Sequence, residues 1–384
     1  MEKKVKRSIC LIYEFLSEQG GLEREIISHS KFLKEEGYKI KILTCHLDKR
    51  IFQLLPFEDI QVESIGKINT KIEWLNIVLC FLGFNKIKEY NPDAFLVYSF
   101  PSNYLVRNLK SKKINYLNHY PHFLYEKNKI EWARGTQGIK RWLSLILNLL
   151  MGDYLKRLDK KLVEKNSLVF TNSNFTKKRL DFLYSIKSIV SYPPLDQRFN
   201  KSSKKKLKER FIFSASRIIP DKKYEWLIET LKYVKNNLPL YLAGSVEDSY
   251  KASLLFLAKK NKIKIKFLGR LNTHKIKEYY SNAEVFAFPA PKEDFGLVPA
   301  EAMACGTPVV IWGDGSGPSE QVIDSISGYH AKPYNLNDFA KKIDLVIDSG
   351  MKSKNKKKII NSVKKFSYGE IKKDFIKEIN NVFS

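Results

Sequence analysis

Four cysteines in 384 residues, Cys10, Cys45, Cys80 and Cys305, are too few and too scattered for a disulfide framework, and no Cys-x-x-Cys pair offers zinc two thiolates. Reduced, packed thiols of a cytoplasmic protein are the expectation. Long apolar runs are missing as well. The most apolar stretches, Trp74 to Phe84 and Trp142 to Met151, fall far short of the ~20 residues that cross a bilayer. Each reads as a buried or an interfacial helix, with burial favoured for the first. The start of the chain, Met1-Glu-Lys-Lys-Val-Lys-Arg7, leads towards a strand without an apolar signal region. Acid is short: 41 Asp and Glu stand against 68 Lys and Arg, a net charge of +27, which points to anionic partners such as nucleotide, acidic lipid or nucleic acid. Lys, Ile, Asn, Phe and Tyr are all abundant, as coding bias towards A and T produces, so part of the basicity carries no function. Helix-turn-helix, zinc-finger spacing and RNA-binding aromatic signatures are absent and the basic residues are scattered, which argues against a nucleic-acid partner. No two aspartates are separated by a single residue, so an Asp-x-Asp metal pair is absent too.

What is present fits about two domains with sizeable cores, 43% of residues being hydrophobic. Ser8 to Tyr13 reads as a buried strand. Gly20-Gly21 follows, then an amphipathic helix from about Leu22 to Glu36 ended by Gly37, then a strand from Tyr38 to Thr44. This β-loop-α-β start favours a parallel sheet with helices on both faces. A glycine pair lets backbone approach a ligand closely, although most such pairs are only turns. Further strands read at Ala94 to Tyr98 and Ile114 to Leu117, the second ending in Asn118-His119-Tyr-Pro-His122-Phe. A histidine beyond a strand's carboxyl end faces the same side as the glycine loop; the competing reading is a satisfied structural residue. Lys140 to Lys165 is helical, with an apolar centre and basic flanks, and suits either an anionic membrane surface or a core helix with solvated ends. Asn200 to Lys208 is polar and Lys-rich and marks a linker between domains 1–199 and 209–365. The second domain restarts with a strand from Phe211 to Ser216, then Arg217-Ile-Ile-Pro-Asp-Lys222-Lys and a helix through Val234, which aims two cations at one phosphate group unless they merely form surface salt bridges.

The stretch Asn282 to Ile311 reads as strand, loop, short helix and strand. The helix is expected to begin at Pro299, which has no N–H to leave unpaired, with Glu301 in its first turn and Gly306 ending it in a left-handed conformation. Glu293 lies in the loop at the strand's carboxyl end, where open parallel sheets bind ligands. Two carboxylates beside helix N-terminal N–H groups offer acceptors for hydroxyl pairs and donors for a diphosphate, a combination that suits a nucleotide sugar. The plainer alternative is that Glu301 complements the helix dipole and Glu293 is solvated. Gly313-Asp-Gly315-Ser-Gly317 after the next strand hints at dinucleotide binding, but its third glycine is one position early and no acidic ribose partner is evident.

Glu293-Asp-Phe-Gly-Leu-Val-Pro-Ala-Glu301-Ala-Met-Ala-Cys-Gly-Thr-Pro-Val-Val resembles, almost residue for residue, the Glu-x7-Glu signature of the family 4 retaining glycosyltransferases. The resemblance implies the α/β GT-B fold, two Rossmann-like domains facing across a cleft, with a terminal helix from about Phe366 crossing back to the first. It extends to the Arg217-x4-Lys222 pyrophosphate clamp, with Lys223 where the family usually has glycine, to the Gly-rich turn before Glu320-Gln-Val322, to Leu168-Val-Phe-Thr-Asn-Ser and to Tyr192-Pro-Pro-Leu-Asp196. His119-Tyr-Pro is similar to a segment of mannosyltransferases that build lipid-linked oligosaccharides or O-chains. By that resemblance Arg217 and Lys222 bind diphosphate, Glu301 the ribose, and Glu293 with Phe295, Gly296 and Leu297 the transferred sugar. Gly20 and Gly21 would lie beside the donor diphosphate, His119 near the sugar and His122 towards the acceptor. The implied activity is metal-independent, retaining transfer without a cofactor, on the cytoplasmic face of an anionic membrane. GDP-mannose is the first choice of donor and a lipid-linked glycan of acceptor. A UDP-sugar is the alternative donor, and a non-catalytic nucleotide-binding module or a nucleic-acid-binding protein the alternative class.

Overall fold

The computed structural model describes residues 7–16, 20–47, 60–98, 100–126, 139–199 and 202–384. They fall into two compact units, one of residues 1–192 with 372–384 and one of residues 193–371.

In the first unit the strands are β1 (Ser8–Ile12), β2 (Phe15–Leu16), β3 (Lys39–Thr44), β4 (His46–Leu47), β5 (Val62–Ser64), β6 (Ala94–Tyr98), β7 (Lys112–Leu117), β8 (Leu168–Thr171) and β9 (Ile189–Val190). Seven form one sheet, in the order β5-β3-β1-β6-β7-β8-β9, and β2 pairs with β4. Every pairing is parallel, and the strands β6 and β8 read as short continuous apolar runs because both faces are covered. The helices are α1 (Gly21–Glu35), α2 (Glu73–Phe81), α3 (Ile139–Glu164) and α4 (Asn174–Tyr184). Ser173 caps α4, its hydroxyl accepting the Thr176 N–H at 3.0 Å, which explains the Asn-Ser that follows β8.

The two sides of the sheet bury different chemistry. Cys10, Ile12, Phe95 and Val97 point to one side, with Cys45, Cys80, Ile77 and Phe81. All four cysteines are free and buried, and burial pushes the Cys10 thiol up to about 11. The other side is aromatic, with His29 of α1 against Tyr98 and Tyr116. Phe375 of the C-terminal helix stacks on His29 at 4.4 Å and on Phe170 at 5.0 Å.

The second unit holds β10 (Ile212–Ala215), β11 (Leu240–Ala243), β12 (Ile265–Gly269), β13 (Val285–Ala287), β14 (Val309–Trp312) and β15 (Gly328–Ala331), all parallel, in the order β12-β11-β10-β13-β14-β15. Its helices are α5 (Tyr224–Leu231), α6 (Asp248–Lys260), α7 (Thr273–Asn282), α8 (Leu297–Ala304), α9 (Leu336–Asp348) and α10 (Met351–Ser362). Residues 202–208 are fastened to this unit: the Ser202 hydroxyl donates to Cys305 O at 2.8 Å, the Ser203 N–H to Ser281 Oγ at 2.8 Å and the Leu207 N–H to Asn282 Oδ1 at 3.0 Å. The final helix α11 (Tyr368–Phe383) belongs for most of its length to the first unit, where Lys372 pairs with Glu35 and Glu36 at 2.9 Å each.

One expectation fails. α2 is not a buried helix: Trp74, Val78 and Leu82, spaced four apart along it, are exposed, and only Asn76 and Cys80 within it are buried. Apolarity alone does not separate a core helix from one whose apolar stripe faces outwards. Among the described residues, no helix is long and apolar enough to cross a membrane.

Candidate active site

In each unit the strand order reverses at one point, and ligands of open parallel sheets bind outside the carboxyl ends of the strands there. In the second unit the reversal lies between β10 and β13. The loop after β10 carries Arg217 and Lys222, and the loop after β13 carries Glu293. The Lys222 ammonium and the Glu293 carboxylate meet in a close ion pair, with both side chains about four-fifths buried. Arg217 is exposed, and its guanidinium has no ion-pair partner among the described residues. Gly244, at the end of β11, lies so close to Ser216 that a Cβ there would meet its carbonyl oxygen at 1.7 Å. Bonds from Ser216 N to Ala243 O at 3.1 Å and from Ile218 N to Ser245 O at 2.9 Å fix the backbone on either side of Arg217.

The Glu293 loop runs into α8, which begins at Leu297, not at Pro299. Gly296 takes φ 67° as the residue before the helix, and Pro299 is the third helical residue, still in the first turn where its missing N–H costs nothing. Glu301 therefore falls in the second turn. It complements the helix dipole poorly, which weakens the plainer reading of this residue. Its carboxylate is buried, 4% exposed, and accepts the Tyr280 hydroxyl at 3.0 Å. Leu297 and Val298 open α8, so their N–H groups have no intrahelical acceptor, and Gly296 just before them lies against Glu293, whose Cγ a Cβ at Gly296 would meet at 3.0 Å. Phe295 is buried with its ring against Phe366 at 5.4 Å.

Two positioning residues escape the sequence reading. The Gln321 amide donates to Phe295 O at 2.6 Å and to Gly296 O at 2.9 Å, pinning the turn into α8. Gly317 donates its N–H to Glu293 O at 2.9 Å, and a Cβ there would meet Asp294 O at 2.1 Å. The third glycine of the Gly-x-Gly-x-Gly run thus serves the close approach of two loops. Sequence offered the signal, the run itself, but assigned it no partner.

In the first unit the reversal lies between β1 and β6. Gly20 precedes α1, and its N–H donates to Glu23 Oε2 at 2.9 Å; a Cβ at Gly20 would meet that oxygen at 2.5 Å, whereas Gly21 faces open space. Glu14, after β1, accepts the Ser102 hydroxyl at 2.6 Å, and burial pushes its carboxyl up to about 7. Asn118, after β7, donates to Glu25 of α1 at 2.9 Å; burial pushes Glu25 up to about 8 in spite of that bond, and the charge of Glu23 adds to the shift. The sequence reading missed all three of these buried glutamates. His119 is exposed, and Nδ1–H donates to Tyr120 O at 2.9 Å. His122 lies against it, with rings 5.1 Å apart, and burial followed by the charge of His119 lowers it to about 4 despite Glu126 at 3.3 Å. Asn118 thus ties the histidine loop to the helix that the glycine pair opens. No group of three or more His, Cys, Asp or Glu suited to a metal ion occurs among the described residues.

Comparison with known proteins bears on the fold and on the second unit. Residues 196–366 match the family described as glycosyl transferases group 1. An uncharacterized glycosyltransferase of Methanocaldococcus jannaschii is 32% identical over 179 residues, 46% of this chain and 45% of that protein, so the match spans about half the length of that relative. A second uncharacterized glycosyltransferase, from Haemophilus influenzae, is 23% identical over 340 residues, 86% of this chain and 87% of its own. The crystal structure of Anabaena HepE in complex with UDP and glucose is similar in fold, with a TM-score of 0.73 at 17% identity over 98% of this chain and 100% of that one. The α/β architecture of two parallel sheets is that of solved GT-B glycosyltransferases.

Proposed function

We propose that this chain, whose residues 196–366 match the family described as glycosyl transferases group 1, transfers a sugar from a nucleoside-diphosphate donor with retention of configuration. The observation that carries the reading is the Lys222–Glu293 ion pair at the strand-order reversal of the second unit, beside the first turn of α8. Arg217 and Lys222 bind the diphosphate oxygens, the arginine as a planar fork and the lysine as a point charge steadied by Glu293. Glu301 takes the ribose hydroxyls, and Glu293 with the backbone at Phe295, Gly296 and Leu297 holds the transferred sugar. Gly20 and Gly21 lie beside the diphosphate, His119 beside the sugar and His122 towards the acceptor.

The acceptor hydroxyl attacks the anomeric carbon on the face the diphosphate leaves. As the carbon–oxygen bond to phosphate breaks, a phosphate oxygen takes the hydroxyl proton. No covalent enzyme intermediate forms. Fixed cations and helix N–H groups stabilise the leaving diphosphate, so no divalent metal or cofactor is needed. GDP-mannose is the first reading of the donor, from the His119-Tyr-Pro and Tyr192-Pro-Pro-Leu-Asp196 segments. The UDP bound in Anabaena HepE favours a UDP-sugar as the second. A lipid-linked glycan on the cytoplasmic leaflet is the acceptor, consistent with a net charge of +27 and with the exposed apolar residues Leu149 and Leu150 of α3.

Calorimetric titration with GDP and with UDP, in excess chelator, tests this. One nucleotide should bind at least about tenfold more tightly than the other, a difference of ~1.4 kcal/mol. Arg217→Ala or Lys222→Ala should lower turnover by about 10²–10³ at saturating donor. Binding of neither nucleotide would remove the proposal, magnesium-dependent binding its metal-free part, and full turnover in either variant the roles given to the two cations.

A further inference from the structure

Residues 66–89 of the first unit form a surface that carries none of the residues assigned to the candidate site. The chain doubles back on itself there, with a bridge between Gly66 and Asn85 and the Lys67 N–H donating to Phe84 O at 3.0 Å. This brings Ile68 and Ile72, which precede α2, together with Phe84, which follows it. The stripe of α2 itself adds Trp74, Val78 and Leu82, the last 70% exposed. Six large apolar side chains so exposed within two dozen residues need a cover, because single exposed apolar residues are ordinary but contiguous ones are not.

The charge around the stripe says what kind of cover. Lys67, Lys71, Lys86 and Lys88 are all exposed, against two acids, Glu73 and Glu89, in the same segment. Lysines around an apolar stripe that contains tryptophan are the pattern of a helix lying in a lipid–water interface, with its apolar side among the acyl chains and its ammonium groups at anionic headgroups. A second helix repeats the pattern. On α3, Ile146, Leu149, Leu150 and Tyr154 are exposed along one side, followed by exposed Arg157, Lys160 and Lys161. The short helix Ser102–Leu105 touches both α2 and α3, so the two lie on the same side of the sheet.

We infer that this side of the first unit, with α2 as its principal contact, docks on a bilayer of anionic lipid. The inference deepens the membrane part of the function proposed above, but its test needs neither nucleotide nor acceptor. Vesicles of phosphatidylcholine alone and of phosphatidylcholine with about a third phosphatidylglycerol are sedimented with the full chain at low salt. The anionic vesicles should bind, and binding should weaken steeply as salt shortens the screening length below ~10 Å. Two variants are compared: Trp74→Ser with Leu82→Ser, which removes the stripe, and Lys67, Lys71, Lys86 and Lys88 all changed to Gln. At ~1 kcal/mol per lysine near the surface, the lysine variant should lose at least about tenfold in lipid affinity. The serine variant should lose a similar amount while its circular dichroism and melting temperature stay those of the parent. Failure of the parent to bind anionic vesicles overturns the inference, as does undiminished binding by both variants. Light scattering covers the competing occupant: a parent dimer that Leu82→Ser dissociates, with no lipid binding by either protein, would make the surface a contact between copies and overturn the lipid assignment. Nucleotide calorimetry on the same samples keeps the two proposals apart, since a chain that binds vesicles but no nucleotide loses only the transferase reading.

Discussion

Lys223 takes φ 53° and ψ 45° at the entrance to α5, a left-handed conformation that glycine adopts freely and lysine only with strain. The resemblance expects glycine there, and the geometry explains why. Two effects compete in Lys223→Gly. Relief of the left-handed strain gains ~1–2 kcal/mol, while the freer unfolded glycine costs ~0.5–1 kcal/mol. What Lys223 loses, an ion pair to Glu225 at 3.8 Å and a position over Trp226 at 5.7 Å, is solvent-exposed and small. The net should be a gain of about 0.5–1 kcal/mol, seen as a rise of about 2 °C in the melting of residues 193–371. A fall would show that Lys223 is held by contacts that outweigh its backbone.

Glu25 makes a second prediction at the same scale. Its carboxyl moves from 4.5 unfolded to about 8 folded, so the folded chain keeps a proton that the unfolded chain has released. The associated stability is complete below about pH 4.5 and is lost as pH rises through 8. Glu14 acts in the same direction, up to about 7. Glu25→Gln retains an acceptor for Asn118 and removes the titration. Between pH 5 and pH 8 the parent should lose on the order of 2–4 kcal/mol more than the variant in urea denaturation. Parallel pH slopes would mean that water reaches this carboxylate.

Among the elements, those with a strong local pattern were legible in advance: β1, α1 with Gly37 after it, β6, β14, and the Gly306 that ends α8. Their apolar period, terminal glycines and prolines act locally and need no knowledge of the rest of the chain. The start of α8 was not legible to the residue, because Gly296 and Pro299 are both plausible beginnings and the choice is made by Gln321, 25 residues further on, through its bond to Gly296 O. The outward face of α2 was not legible either, since its composition matches a core helix. Of the candidate residues, Arg217, Lys222, Glu293 and Glu301 could be named from spacing and resemblance, and the fold brings Lys222 and Glu293 into contact. Glu14 and Glu25 could not, because their character comes from burial between strands that lie far apart in sequence.

The C-terminal helix shows the same dependence on distant partners and yields a test. Phe375 is buried and stacks on His29, whose ring burial holds at about 3, so this histidine stays neutral and apolar in character. Phe375→Ala should cost about 3–5 kcal/mol in the unit of residues 1–192, the range for emptying an aromatic site in a packed core. Measured by urea unfolding, a loss below about 1 kcal/mol would mean that α11 contributes little to that core.

At the scale of the molecule, each unit encloses its own sheet and its own aromatic core, so a single two-state transition is not expected. Scanning calorimetry should resolve two transitions, and the variants assign them: Phe375→Ala lowers the one belonging to residues 1–192, Lys223→Gly raises the other. The nucleotide then becomes a locator of its own site. With Lys222, Glu293 and Glu301 all on residues 193–371, the preferred nucleoside diphosphate at about 100 times its dissociation constant should stabilise that unit by ~2.7 kcal/mol and raise its midpoint by roughly 5–10 °C. The transition of residues 1–192 should move far less, because Gly20 and Gly21 are assigned to the diphosphate, His119 to the sugar and His122 to the acceptor, and none of them to the base or ribose. An equal rise in both transitions would place a comparable share of nucleotide affinity on the first unit, and a rise in the first alone would reverse the assignment of donor and acceptor sides.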